Sequence, residues 1–312
     1  MPRHLSDFET LLMSSDLDAD ILLDEPMSKH TTYRIGGDTK YYIVVNTTDA
    51  LRRVIKSCSK SGIDHCIVGK GANLLVADAG YDGAVIVLGR DFRTYSIDNK
   101  TCRLTCGCGV VLGRLVTECY ANGLSGLEFA VGVPGTIGGA LAMNAGSATE
   151  YIGDAVRLVT FVQDDIEARV KTVNKSDITW EYRNSSLADF GIAIEADLKL
   201  IKGNAEEIRS HMDEYMQRRK DCQPLSSPSC GSVFKNPISN DGEKLSAGKL
   251  IDACGLRGKR IGGACISDLH ANFIVNDEGA SATDVMTLIE LAKSEVKAKF
   301  DVDLVCEVRF LG

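Results

Sequence analysis

The segments VGKGANLLV (residues 68–76) and GVPGTIGGALAMNAG (residues 132–146) are where this chain offers chemistry through its backbone. Glycine stands at 69 and 71 in the first, and at 132, 135, 138, 139 and 146 in the second. Glycine permits positive φ and lets backbone N–H groups come close to an oxyanion such as a phosphate. Neither segment spells the dinucleotide fingerprint G-x-G-x-x-G, and no stretch reads G-x-x-x-x-G-K-[ST], so a P-loop is excluded. Taken alone, the spacing fits two tight turns better than a phosphate cradle. Cys102, Cys106 and Cys108 cluster in sequence, but a metal site needs four ligands in paired spacings and no second pair or His partner is near. They read, with Cys222, Cys230, Cys254, Cys265 and Cys306, as small core or surface thiols, and no metal is expected.

Composition narrows the setting of these segments. The chain has 312 residues, enough for two or three domains at roughly 150 residues each. Its 44% hydrophobic and 25% charged content is that of an ordinary globular protein. A net charge of −8 and the lack of any Lys/Arg-rich block speak against nucleic acid as a partner. The N-terminus lacks the apolar core and small-residue cleavage site of a secretory signal, and the 11 scattered cysteines suit reduced thiols, so a cytoplasmic location is expected. The uncharged run 129–148 is long enough to cross a bilayer at ~20 residues. Its glycines and Pro134 would break a lone helix in lipid, so no membrane span is expected.

The elements that must position these segments follow from periodicity. Residues 41–45 read as a strand, and Thr48 as the cap of a helix carrying Leu51, Val54, Ile55 and Cys58. Residues 65–68 and 85–88 read as further strands. Between 95 and 200, short alternating stretches (95–97, 103–105, 156–162, 193–201) predict an antiparallel-rich sheet, interrupted by a helix over 110–122. Asn204 with Glu207 predicts the capped start of a helix whose apolar face is Ile208, Met212, Tyr215 and Met216. An irregular stretch with three prolines follows to 237. Helices at 245–255 and from Ser281, with Asp284 in capping-box spacing, flank a strand at 271–275. The alternation Val302, Leu304, Cys306, Val308, Phe310 predicts a closing strand with Glu307 and Arg309 on its other face.

With these stretches in hand, the chain resembles a known family nearly end to end. HTTYRIGG (30–37), GKGANLL, GVPGTIGGALAMNAG, WEYRNS (180–185), GSVFKNP (231–237), AGKLIDACGLRGKRIGGACIS (247–267), HANFIVN (270–276) and the terminal EVRFLG occur in the order and spacing of the UDP-N-acetylenolpyruvoylglucosamine reductases of peptidoglycan precursor synthesis. The resemblance implies an α+β, vanillyl-alcohol-oxidase-like fold: two FAD-binding subdomains (1–88, and 89–221 plus 301–312) and a smaller α+β substrate-binding domain (222–300). It implies non-covalent FAD held by Thr32, Arg34, Gly36, Gly37, Gly69, Gly71, Asn73, Leu74, Gly132, Val133, Pro134, Gly135, Gly138, Gly139, Asn144, Ala145 and Gly146. On this reading the glycine segments lack side chains because a cofactor lies against them.

The reaction implied is reduction of an enolpyruvyl ether to a lactyl ether, with NADPH as co-substrate and a sugar nucleotide as small-molecule partner. The family's catalytic arginine falls on Arg183, its serine acid on Ser232 and its glutamate on Glu307. A forked, permanently charged Arg183 suits a carboxylate gaining negative charge. Ser232 would protonate the carbanion carbon, and Glu307 would assist; as an acid it needs burial or another cause to raise its pKa. Lys220, Lys235 and Asn236 are the candidates for the nucleotide pyrophosphate and substrate carboxylate, ahead of Arg218 and Arg219, while His270 and Asn272 either line the site or serve as structural hydrogen-bonding residues. The sequence departs from the family after MNAG, reading SATEYIG where an Ala-Tyr-Gly-like segment is usual, and it lacks the extra tyrosine-bearing loop of one branch, which places it in the shorter branch. Two other readings stay open: another FAD oxidoreductase of this fold, such as an alcohol or lactone oxidase, and a non-catalytic nucleotide binder. His30, His65 and His270 occupy no flavin-linkage motif, which weighs against the first; the joint presence of Arg183, Ser232 and Glu307 weighs against the second. A monomer is favoured over an oligomer.

Overall fold

Helix and strand signals in the sequence are mostly realised, and the way the chain weaves between its parts sets where the site residues go. A computed structural model describes residues 6–239 and 242–312. Residues 1–5, and positions 240 and 241 of the third expected domain, lie outside the described residues. Two compact units emerge: one takes the chain up to Asp24, Lys40–Gly69 and Gly83–Met216, the other Glu25–Thr39, Lys70–Asp82 and Gln217–Gly312.

The first unit contains two sheets. A four-stranded sheet runs in the order Ala19–Pro26, Asp38–Val45, Tyr81–Leu88, His65–Ile67. The helix Thr48–Ser61 links two of these strands and buries Leu51, Val54, Ile55 and Cys58 completely. Its cap is Thr47 rather than the expected Thr48: the Thr47 hydroxyl accepts from the Ala50 N–H at 3.1 Å while Thr48 is already helical. Adjacent threonines are equivalent to a sequence pattern, and only the backbone angle decides which one turns out of the helix. Gly62 ends the helix in the left-handed region. His65–Ile67 pairs in parallel with Tyr81–Leu88.

The second sheet is antiparallel throughout, ordered Val170–Asn174, Val156–Val162, Ile192–Lys199, Arg103–Gly107, Tyr95–Asp98. Leu104, Val159, Phe161 and Leu198 are fully buried in its core, together with Ile137 and Leu141 of the short helix Ile137–Ala142. Asp197 is buried on this sheet with the guanidinium of Arg103 against one oxygen and Arg157 Nε at 2.9 Å from the other. Burial raises its carboxyl, but these two cations outweigh it and hold the pKa below the usual aspartate range.

In the second unit, a three-stranded antiparallel meander (Arg260–Ile261, Ala264–Ile266, Ile274–Asn276) packs with helices Ala247–Ala253 and Ala282–Phe300. Ser281 and Asp284 form the expected capping box, each side chain accepting from the other's N–H at 3.0 Å. The strand expected at 271–275 is confined to Ile274–Asn276, because residues 270–273 make a turn closed by the Phe273 N–H to His270 C=O bond. The chain end also departs from expectation. Arg309–Leu311 is the strand there, and it pairs in parallel with Leu74–Val76 rather than rejoining the antiparallel sheet. Residues 301–312 therefore belong with the second unit, and so do 25–39 and 70–82. Phe310 is 46% exposed, so the apolar alternation breaks at that residue. Alternation marks a strand's faces but not its partner, and a parallel partner at the chain's far end leaves no local signal.

Candidate active site

In the first unit Gly69 meets the second glycine segment. A Cβ on Gly69 would lie 2.5 Å from Thr136 Oγ1, so that glycine is required by close approach to the second segment. Residues 132–138 are laced to 108–112 by main chain: Leu112 N–H donates to Gly135 C=O, Ile137 N–H to Val110 C=O and Gly138 N–H to Cys108 C=O. Burial keeps the Cys108 thiol well above its ordinary pKa and so uncharged beneath this loop. Gly135 has φ +135°, a region closed to other residues, and a Cβ there would meet nothing within 4 Å. A Cβ on Gly139 would touch only Thr136 Oγ1, at 3.7 Å. Both positions leave open, uncrowded backbone surface, which is what a segment lying against a planar or phosphate-bearing cofactor needs. The residues present therefore fit a flavin nucleotide. By contrast, Gly146 is filled by the chain's own backbone at Glu150.

Arg183 is presented by a hairpin. Trp180–Glu181 pairs with Asn184–Ser185, leaving Tyr182 and Arg183 as the two loop residues. Arg183 has φ +55°, uncommon for a side chain of its size, and its guanidinium stacks 5.2 Å from the centroid of Tyr182. Two side chains tie the hairpin to the glycine segment. Asn144, 5% exposed and itself at φ +40°, donates to Glu181 C=O at 3.0 Å and accepts from Gly153 N–H at 3.1 Å. The Ser185 hydroxyl donates to Leu141 C=O at 2.9 Å. The family resemblance makes Asn144 a cofactor contact; its amide is engaged in holding the arginine's hairpin.

In the second unit Ser232 and Glu307 lie on adjacent, hydrogen-bonded segments. Glu307 N–H donates to Val233 C=O at 2.7 Å, Lys235 N–H donates to Val305 C=O at 2.9 Å, and Phe234 pairs with Cys306. The opposite edge of 231–236 is held by one residue. Asn272, 4% exposed, accepts the Phe234 N–H at 2.9 Å and donates to the Phe234 C=O at 2.8 Å, while its own C=O takes the Val233 N–H. An amide thus stands in for a neighbouring strand. His270 Nδ1 accepts the Asn272 N–H at 3.1 Å, and burial, helped by the charge of Arg257, lowers the His270 pKa and favours that neutral acceptor. Gly231 precedes the serine at φ +81° in open space. Two residues before Ser232, Cys230 is buried and its thiol is pushed up to about 12, chiefly by burial, so it is core rather than nucleophile.

Several predicted cofactor residues turn out to organise this same unit. Asn73 donates to Glu307 C=O at 3.0 Å and accepts from Arg309 N–H, fixing the glutamate from the glycine-turn side. Thr32 donates to Ser229 C=O at 2.7 Å, and its N–H reaches Gly71 C=O at 3.3 Å. Gly36, Gly37 and Gly71 are demanded by contact with Val76, Asp78 and His30 respectively. Arg34 is exposed at φ +56°. Of the substrate candidates, Lys235 and Asn236 are half-buried, with Asn236 Oδ1 accepting the Ala247 N–H at a helix start, while Lys220 is exposed.

Comparison with known proteins places this geometry. Residues 223–311 match the model of the UDP-N-acetylenolpyruvoylglucosamine reductase C-terminal domain, and residues 39–168 match an FAD binding domain. The first of these runs through the final strand, in keeping with its place in the second unit. The chain is 41% identical over 289 residues to the UDP-N-acetylenolpyruvoylglucosamine reductase of Heliobacterium modesticaldum, covering 92% of this chain and 90% of that protein. A crystal structure of the reductase from Thermus caldophilus aligns with TM-score 0.79 at 35% identity, covering 94% of this chain and 99% of that one. Phl p 4.0202, a glucose dehydrogenase, aligns at TM-score 0.50 and 16% identity over 64% of this chain and 45% of its own, a likeness of fold alone.

Proposed function

The chain belongs to the UDP-N-acetylenolpyruvoylglucosamine reductase family, and from that premise we propose which of its residues perform the family's reaction. That reaction is the FAD-dependent reduction of UDP-N-acetylglucosamine-enolpyruvate to UDP-N-acetylmuramate by NADPH, a step in making peptidoglycan precursors. We place it in the cytoplasm, where both nucleotides are made. Among the described residues no helix is long and apolar enough to cross a membrane.

FAD, when bound, supplies the hydride it receives from NADPH. Gly135 and Gly139, with their neighbours in 132–139 and the turn at Gly69, would hold it. Arg183 offers two parallel N–H donors to the substrate carboxylate, where negative charge grows as the vinyl carbon is reduced; charge preorganised in this way commonly lowers an enzyme's barrier more than any other single effect. The Ser232 Oγ–H gives its proton to the carbon next to that carboxylate. Glu307 stands on the neighbouring segment to relay a proton to the serine and to orient the carboxylate. Lys235 and Asn236 bind the nucleotide end.

One observation carries the assignment: Ser232 and Glu307 are fixed on directly hydrogen-bonded segments, clamped on both edges, which is how a proton relay of two side chains is kept in register. An anaerobic visible spectrum tests the reading. Flavin absorbance should bleach with NADPH and return on adding the enolpyruvyl nucleotide. Flavin that stays reduced would discard the substrate; protein that takes up no FAD would discard the whole reading.

A further inference from the structure

The hairpin that presents Arg183 is too short to fix its own direction. Only Trp180 with Ser185 and Glu181 with Asn184 are paired in it, and an isolated two-stranded hairpin is marginal in water. Arg183 sits in its turn at φ +55°, so the guanidinium goes where the hairpin goes. Three contacts bind that hairpin to the stretch 141–153. The Trp180 ring lies on Gly153, where a Cβ would be 2.6 Å from Trp180 Cε3. The Ser185 hydroxyl donates to Leu141 C=O at 2.9 Å, with Ala142 C=O at 3.2 Å. Asn144 joins the two sides: its amide donates to Glu181 C=O and accepts the N–H of the same Gly153 that the ring covers.

Asn144 and Ser185 are both buried, so water does not replace these bonds when a partner is lost. Asn144 also occupies φ +40°, which asparagine tolerates better than most residues. Both ends of its amide are engaged by main chain, and both partners steer the hairpin. We propose that Asn144 and Ser185 are positioning residues for the second half of the reaction. They act through Arg183, setting where its guanidinium meets the substrate carboxylate, and not through the flavin. A misplacement of about 1 Å at such a group can cost about 10²-fold in rate. The inference rests on the reading above, in which Arg183 receives that carboxylate. It gives the Asn144 side chain a different task from the cofactor contact that the family resemblance implies.

The test uses the full-length FAD-loaded protein as wild type, Asn144→Asp, Ser185→Ala, Arg183→Ala and the two double variants with Arg183→Ala. Asn144→Asp keeps the shape and the acceptor for Gly153 N–H, but sets a second acceptor against Glu181 C=O. Each protein is reduced anaerobically with NADPH and then mixed with the enolpyruvyl nucleotide, and flavin absorbance is followed through both steps. Reoxidation should slow by about 10- to 10²-fold in Asn144→Asp and by at least about threefold in Ser185→Ala. Reduction by NADPH and the FAD dissociation constant should stay within about threefold of wild type. On the Arg183→Ala background either substitution should change reoxidation by less than about twofold, because the group it aims has gone. Wild-type reoxidation in Asn144→Asp, FAD bound tenfold more weakly, or a full further loss on the Arg183→Ala background overturns the inference. Should Asn144→Asp fail to fold, Ser185→Ala decides by the same criteria. A slow Arg183→Ala beside an unimpaired Asn144→Asp sinks the inference alone, whereas an Arg183→Ala that reoxidises at the wild-type rate sinks the reading beneath it as well.

Discussion

Residues 132–139 of the first unit, which run into the short helix Ile137–Ala142, and 231–236 of the second are both proposed for the site, yet they hold their shape by different means. The glycine segment is pinned by main-chain hydrogen bonds to 108–112, so no single side chain keeps it in place. The serine segment has a neighbouring stretch of main chain on one edge, and on the other the single residue Asn272, through its side-chain amide and its own C=O. A backbone-laced segment depends on residue type at a few positions where a Cβ is unwelcome. A side-chain-clamped segment depends on one distant residue, whose loss leaves buried polar groups without partners.

Four measurements would break or sharpen this contrast, beginning with the largest effect. Ser232→Ala should retain FAD and its reduction by NADPH while turnover of the enolpyruvyl nucleotide falls by about 10²- to 10⁴-fold, the usual worth of a general acid. Turnover at the wild-type rate would remove Ser232 from its role. Asn272→Leu strands the Phe234 N–H and C=O, at about 1–3 kcal/mol for each unsatisfied group. Its urea midpoint should drop and turnover should fall at least tenfold while flavin binding is kept; loss of flavin together with turnover would show that the clamp serves more than the serine.

Gly139→Ala probes the other side of the comparison. With only Thr136 Oγ1 near the new methyl group, and Ala a better helix former by about 1 kcal/mol, the flavin-free protein should melt at or above the wild-type temperature. FAD affinity should nonetheless fall about tenfold, because the methyl group intrudes on the cofactor's face of the loop. Unchanged affinity would mean that the cofactor does not touch this backbone.

The smallest effect is a control outside both segments. His65 Nε2 lies 2.9 Å from Asp164 Oδ1, and that hydrogen bond, opposed in part by burial, raises the His65 pKa. The folded state therefore favours the protonated ring. The stabilisation is fully present below the unfolded pKa of about 6.5 and is lost as pH rises through the higher folded value. With Asp164 largely solvated, it should amount to less than about 1 kcal/mol. Urea midpoints of wild type should fall from pH 6 to 8 by more than those of Asp164→Asn, with Ser232-dependent turnover unaffected. Equal pH slopes would dismiss the link.

Much of this was legible in the residues. Glycine at 135 and 139, the capping pair Ser281 and Asp284 and the strand at 156–162 are properties of residue type and local spacing, and local spacing is what a sequence displays; Arg183, Ser232 and Glu307 stood out only through the motifs that the chain shares with the family. Long-range choices lay beyond it. Which strand receives Arg309–Leu311, which carbonyl the Asn144 amide reaches, that Asn272 replaces a strand beside Phe234, and that Arg219 rather than Lys220 turns inward all depend on what the rest of the chain brings alongside. Periodicity fixes the face on which a side chain sits, while its partner and its loss of water are settled only when distant segments pack.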